Sequence, residues 1–170
     1  NLINIGSRTV LFIVCAMASF MGLLNSYREI CKDREIIFRE ASVGVSLLAT
    51  VLSKAITLFL VEAVQAGILT AGFVEIIHIP QNHLLLDTDV EIFVSILLML
   101  VASSAIGLLI SAIFKSGESA ILVVLVLMIG QVVFSGIMFT LTGAAARIAA
   151  VVVCRWGMGA LGASTDLNSR

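Results

Sequence analysis

Two stretches of this chain put ionisable side chains where they can do work. The first is a dense run of charge. Arg28, Glu29, Lys32, Asp33, Arg34, Glu35, Arg39 and Glu40 fall between Tyr27 and Leu47, with long apolar runs on both sides. Ile30, Ile37, Phe38, Ala41 and Val45 recur there at roughly helical spacing, so one helix face can rest on an apolar surface, although Arg34 interrupts the stripe. Such an element is either a solvated helix joining two membrane spans or a contact element that takes force from a partner in the cytosol. The second is Glu62, near the middle of an apolar run with Gln65 one turn on. An ionisable group there is costly and reads by default as functional, for a channel or a proton-coupled transporter as the relay. The alternative is a neutral, protonated carboxyl hydrogen-bonded to a neighbouring helix. Lys54 is two turns away, about 12 Å along the axis, so it is expected to snorkel toward the membrane surface rather than to pair with Glu62.

Other reactive side chains carry weaker signals. Glu75 and His78 stand one helical turn apart, with His83 beyond them, which fits a solvated loop better than a metal site. Cys15, Cys31 and Cys154 share no close spacing and suggest neither a metal site nor a disulfide framework. Met17 and Met21 suit variable apolar ligands, and equally suit ordinary gap filling.

The elements that must position these groups are membrane helices. Of 170 residues 60% are hydrophobic and only 12% charged, with a mean hydropathy of +1.16. A soluble domain carries about 25% charged residues. One proline and 6% aromatics argue for an all-α polytopic protein over a β-barrel, whose strands alternate and carry aromatic girdles. A net charge of −1 without a basic patch excludes a nucleic-acid partner. The chain begins at Asn1 with no n-region ahead of its first apolar run, so it reads as an internal piece of a longer protein rather than as a signal peptide and mature domain.

Four spans are expected, at about 2–25, 47–74, 90–114 and 119–141, with a charged helix at about 28–42 and a re-entrant or interfacial segment at about 144–162. Gly44 is expected to break the chain after the charged helix. Ala63, Gly67 and Ala71 form a small-residue stripe on the second span. Ala102, Ser103, Ser104, Ala105 and Gly107 make the third a tightly packing segment. Gln131 is the one polar interior residue of the fourth. The connection before the second span carries Arg28, Lys32, Arg34 and Arg39, the next carries no Lys or Arg, and the third carries Lys115. The positive-inside rule therefore puts the first and third connections in the cytosol. Arg8, Arg147, Arg155 and Arg170 then fall outside, so the rule holds locally.

The order of span, charged loop, span, outer loop, span, tight inner turn, span and outer re-entrant segment resembles the transmembrane domain of G-subfamily (White-type) ABC exporters and their bacterial relatives. Four patterns carry the resemblance. REICKDREIIFRE running into ASVGVSLLATVLSK looks like that family's coupling helix and the Ser-Lys pair opening its next span. KSGES, at 115–119, is the tight turn. FSGIMF, from Phe134 to Phe139, is similar to the outer end of the family's fifth helix, and RWGMGAL, from Arg155 to Leu161, to its outer loop. The resemblance covers essentially the whole chain and implies a piece lacking the family's first and sixth helices and its nucleotide-binding domain. No G-x-x-x-x-G-K-[ST] occurs, so the chain is expected not to be an enzyme, with ATP and Mg held on the absent domain. The implied partners are an ABC ATPase domain, a second transmembrane domain (identical or not) and the lipid bilayer, and the implied location is a plasma membrane, for a bacterium the inner one.

The resemblance further implies roles. Met17, Ala18 and Met21 would form one wall of a substrate cavity and Leu125, Ile129 and Val132 the other. Ile137 and Met138 would form an outer valve. Arg28, Asp33, Arg39 and Glu40 would couple to the ATPase. Apolar walls imply an amphipathic or lipid-like substrate, because an ion would meet no compensating groups.

Overall fold

The structure is a computed structural model. It describes the backbone of residues 2–76, 88–134 and 152–164, and the side chains of 9–75, 89–134 and 152–162. The described residues form helices joined by turns and short irregular connections, with no strand among them. Six helices follow in order: α1 (Leu2–Ser26), α2 (Arg34–Ser42), α3 (Leu47–Ile76), α4 (Thr88–Ile113), α5 (Gly117–Val133) and α6 (Val153–Ser164). The segments Thr9–Ser26, Leu47–Glu75 and Asp89–Ile113 are long and apolar enough to cross a membrane. Of the span expected at about 119–141, the described part is α5, and 135–141 lie outside the described residues. The same is true of 144–151 in the expected outer segment, whose remainder is α6.

Local chemistry sets the helix ends. Ser116 is extended, and its hydroxyl accepts from Ser119 N at 3.3 Å, with Glu118 in the first turn of α5. Ser46 Oγ accepts from Ala49 N at 3.3 Å as α3 begins. α2 ends as Val45 N and Gly44 N turn back to Glu40 O at 3.1 Å and Ala41 O at 3.2 Å. Gly44 makes this possible with φ +99°, a left-handed conformation that costs glycine little, so the expected break falls where the sequence puts it.

Helix α4 is the hub, packed against α1, α3, α5 and α6. In lipid, helices associate by close packing and polar contacts rather than by excluding water, and the α1–α4 seam is built accordingly. A Cβ at Gly22 would stand 2.6 Å from Leu100 O and 2.9 Å from Ser103 Cβ. One at Gly107 would stand 3.1 Å from Leu23 O. Glycine on both sides thus lets the two backbones approach, and Ser103 and Ser104 are buried beside them. The second span behaves differently from expectation. Its packed face is Glu62, Ala66, Thr70 and Phe73, all buried, while Gly67 meets no neighbour within 4 Å and Ala71 is exposed. The small-residue stripe Ala63–Gly67–Ala71 is one position round from the contact, because the larger Phe73 and the polar Glu62 find room against α4 and α1. The apolar core links Leu11, Cys15 and Ala18 of α1 with Ile92, Ile96 and Leu100 of α4 and Cys154 and Leu161 of α6. A second cluster, Leu23, Ile110, Ala120 and Val124, closes the charged end of the bundle.

Candidate functional site

The charged stretch is not one helix. Residues 27–33 form turns and the regular helix starts only at Arg34, so the element expected over about 28–42 is α2 preceded by a folded hinge. The hinge's bonds to other helices explain the difference. Ser111, in the last turn of α4, accepts at Oγ from Ile30 N at 2.9 Å and from Cys31 N at 3.0 Å. Cys31 Sγ lies 3.0 Å from Ser111 O and 3.2 Å from Phe114 O. Arg34 Nη1 donates to Phe114 O at 3.2 Å. The last carbonyls of a helix have no partner within it, and here the hinge supplies donors to that end of α4.

Two further ties reach the neighbouring helices. Lys54, in the early turns of α3, donates to Asp33 at 2.5 Å and lies 3.7 Å from Glu29, which also accepts from Lys32 at 2.7 Å. Lys54 therefore reaches toward the charged end of the bundle, as expected, and ends there on the hinge carboxylates, with 15% of its side chain exposed. Asp33 sits at the N-cap position of α2 but makes no cap bond, since its carboxylate is committed to Lys54. The hydrogen bond from Lys54 holds the Asp33 carboxyl below the usual carboxylate range, against the opposing effect of burial and aided by the charges of Lys54 and Lys32. Arg28 lies along the start of α5, where a Cβ at Gly117 would come within 3.4 Å of its Nε. The hinge thus touches the start of α3, the end of α4 and the start of α5.

Beyond the hinge, α2 offers a mostly exposed face. Only Ile37 is buried. Ile30 and Ala41 are half-buried, Val45 is exposed, and Phe38 is 62% exposed under the Arg34 guanidinium, 5.7 Å from its ring centre. The apolar stripe predicted there is therefore not a buried face within this chain. Of the four residues named for coupling, Arg28 and Asp33 belong to the hinge and Arg39 and Glu40 to α2, and all but the half-buried Asp33 are exposed. Glu40 acts within the chain through its carbonyl, which caps the helix.

The residues expected to form the two cavity walls differ in exposure. Met17 is 51% exposed and Met21 half-buried, but Ala18 is fully buried against α4 and does not belong to an open wall. The helical spacing that put Ala18 beside Met17 carries it round into the α1–α4 seam. On α5, Leu125 and Ile129 are exposed and Val132 is half-buried. Ile137, Met138, His78, His83 and Arg147 lie outside the described residues.

Glu62 is closed inside the bundle at 1% exposure. The Ser104 hydroxyl lies beside its carboxyl, while donating to Val101 O at 3.0 Å. Glu62 Oε1 has no hydrogen-bond partner among the described residues, nor have the buried hydroxyls of Ser19 and Ser103 or Gln131 Oε1. Gln65, one turn on, accepts from Asn25 Nδ2 at 2.8 Å and ties α3 to α1. Sequence reasoning missed Asn25, Lys54 and Ser111 as partners of these groups. The polar character of Ser111 and Asn25 at span ends was visible, but not the neighbours they meet.

Long apolar helices around a small-residue seam, with a charged hinge at one end, define a multi-pass helical membrane protein. Residues 4–154 match the family described as ABC-2 family transporter protein, and the chain belongs to that family. It is also 33% identical over 162 residues to the ABC transporter ATP-binding/permease protein Rv1747 of Mycobacterium tuberculosis. That alignment takes in 93% of this chain and 19% of the relative, so the chain spans about a fifth of the relative's length.

Proposed function

We propose that this chain is the membrane permease part of an ATP-driven exporter of the G-subfamily type, moving an amphipathic or lipid-like substrate. Its drive comes from an ABC ATPase domain that holds ATP and Mg, and the relative's ATP-binding/permease name supports such a pairing. The observation that carries the reading is the hinge. A partner gripping the exposed face of α2, with Arg39 and Glu40, moves an element already bonded to the start of α3 and the end of α4 and packed on the start of α5. A push there reaches three spans at once. Met17 and Met21 with Leu125, Ile129 and Val132 form the apolar walls toward a second transmembrane domain, and Ile137 and Met138 close the outer end. The charged end faces the cytosol, for a bacterium on the inner membrane. The test is transport of a fluorescent phospholipid analogue by the full-length protein in liposomes. Export that requires ATP and stops when the ATPase is inactivated is expected, and ATP-independent movement would overturn the reading.

A second reading draws on Glu62, whose buried Oε1 is unpartnered among the described residues. In a proton-coupled transporter this carboxyl would be the relay. Transport driven by a pH gradient without ATP would favour it.

A further inference from the structure

No glycine or proline stands between Leu23 and Val43, so nothing in the local sequence requires α1 to stop at Ser26. If the helix ran on, Ile30 N–H would bond to Ser26 O and Cys31 N–H to Tyr27 O. Both amides are instead taken by Ser111 Oγ, at 2.9 Å and 3.0 Å. Glu29 N–H takes Ser26 O at 3.2 Å, a tighter turn than an α-helix makes. Ser111 is fully buried, and the two bonds fill the accepting capacity of its hydroxyl oxygen. Its own O–H points to Cys31 Sγ at 3.5 Å, and the thiol returns to Ser111 O at 3.0 Å. The break between α1 and α2 is thus made by a residue 80 positions on from Cys31.

Ser111 also stands where movement can enter α5. It lies in the last turn of α4, which ends at Ile113, and α5 begins at Gly117. Only the short turn 114–116 separates the two helices. Arg34 on Phe114 O and Arg28 beside Gly117 fasten that turn to the same hinge. The other tie, from Lys54 to Asp33, leads to α3 and joins two side chains, of which that of Asp33 is partly exposed, where water weakens it. The Ser111 tie instead holds two backbone amides from a buried position, so it fixes the path of the hinge itself.

We infer that Ser111 is the positioning residue that keeps α1 and α2 apart and delivers movement of the hinge to the α4–α5 hairpin. The inference deepens the proposed function and rests on it for the transport measurement alone. In Ser111→Ala the two amides lose their acceptor and can return to Ser26 O and Tyr27 O as α1 extends, so the fold survives while hinge and hairpin part. Ser111→Thr keeps the hydroxyl. The first readout is alkylation of native Cys31 by N-ethylmaleimide in the full-length protein in liposomes, quantified by peptide mass spectrometry. Cys15 and Cys154 are buried and serve as slow internal references. Cys31 should react about tenfold faster in Ser111→Ala, once the hinge leaves α4, and at the wild-type rate in Ser111→Thr. The second readout is transport of the phospholipid analogue per ATP hydrolysed. That ratio should fall about tenfold in Ser111→Ala, with ATP hydrolysis retained, and recover in Ser111→Thr. An unchanged Cys31 rate in Ser111→Ala, or a threonine variant that behaves as the alanine one, would overturn the clamp. Faster alkylation with an unchanged transport ratio would overturn its part in coupling. A wild type that transports without ATP strikes the proposed function instead, and the Cys31 rate still decides the clamp.

Discussion

Replacing Lys54 by Met keeps the alkyl stem and removes the ammonium that joins α3 to the hinge. Asp33 then loses a 2.5 Å charge-assisted bond, and Glu29 loses its more distant neighbour at 3.7 Å. Stranding the partner of a fully buried ion pair costs about 3–5 kcal/mol, and an exposed pair contributes about 0–1 kcal/mol. Asp33 is 33% exposed, so water solvates much of the stranded charge and the cost sits near the lower case, about 1–1.5 kcal/mol. For a domain of this size that lowers Tm by roughly 2–6 °C. The assay is a double-mutant cycle of Lys54→Met and Asp33→Asn, read by thermal unfolding in lipid nanodiscs. A coupling of about 0.5 kcal/mol or more is expected for residues in direct contact. The same tie sets a pH dependence. Because Lys54 holds the Asp33 carboxyl below its ordinary value, the tie contributes fully above about pH 4 and is lost as pH falls through the lowered value. Lys54→Met should therefore narrow the gap from wild type only in acid. Additive single variants within about 0.3 kcal/mol, or a gap unchanged on acidification, would refute the reasoning.

Three further outcomes are expected. Gly22→Val should reduce the folded, monodisperse fraction on size exclusion, because its Cβ would meet Leu100 O at 2.6 Å, a clash costing about 1–3 kcal/mol; normal yield would contradict the close α1–α4 seam. Glu62→Gln keeps the size and polarity of the buried group, so fold and ATP-driven transport should persist, whereas lost transport with an intact fold would support the relay reading. A cysteine at Gln81 should react with a membrane-impermeant maleimide from outside the cell and one at Lys32 should not; the reverse pattern would invert the orientation.

Fold class was legible because hydropathy alone decides it: the apolar runs at Leu47–Glu75 and Asp89–Ile113 admit little else. Gly44 and Ser116 were legible for a local reason, since turn and cap chemistry depends on near neighbours. The hinge was only half legible. Its charges mark it, but Asp33 meets Lys54 across 21 residues and Cys31 meets Ser111 across 80, and no local pattern encodes those distances. The helical repeat also has limited angular resolution. It grouped Ala18 with Met17 and put Ala63 on the packed face of α3, when rotation by one residue buries Ala18 in the seam and brings Glu62 and Ala66 inward.

The central claim is that the charged segment transmits force from an ATPase, and Glu40 tests it most directly. Glu40 and Glu35 are both exposed on α2, and neither side chain is bonded among the described residues, so their loss should barely alter the stability of this chain. The resemblance puts an acidic partner contact at Glu40. Substrate-stimulated ATPase activity of the full-length protein in lipid should fall sharply in Glu40→Ala and stay near wild type in Glu35→Ala. Equal activity in the two variants would mean that α2 is only a solvated linker.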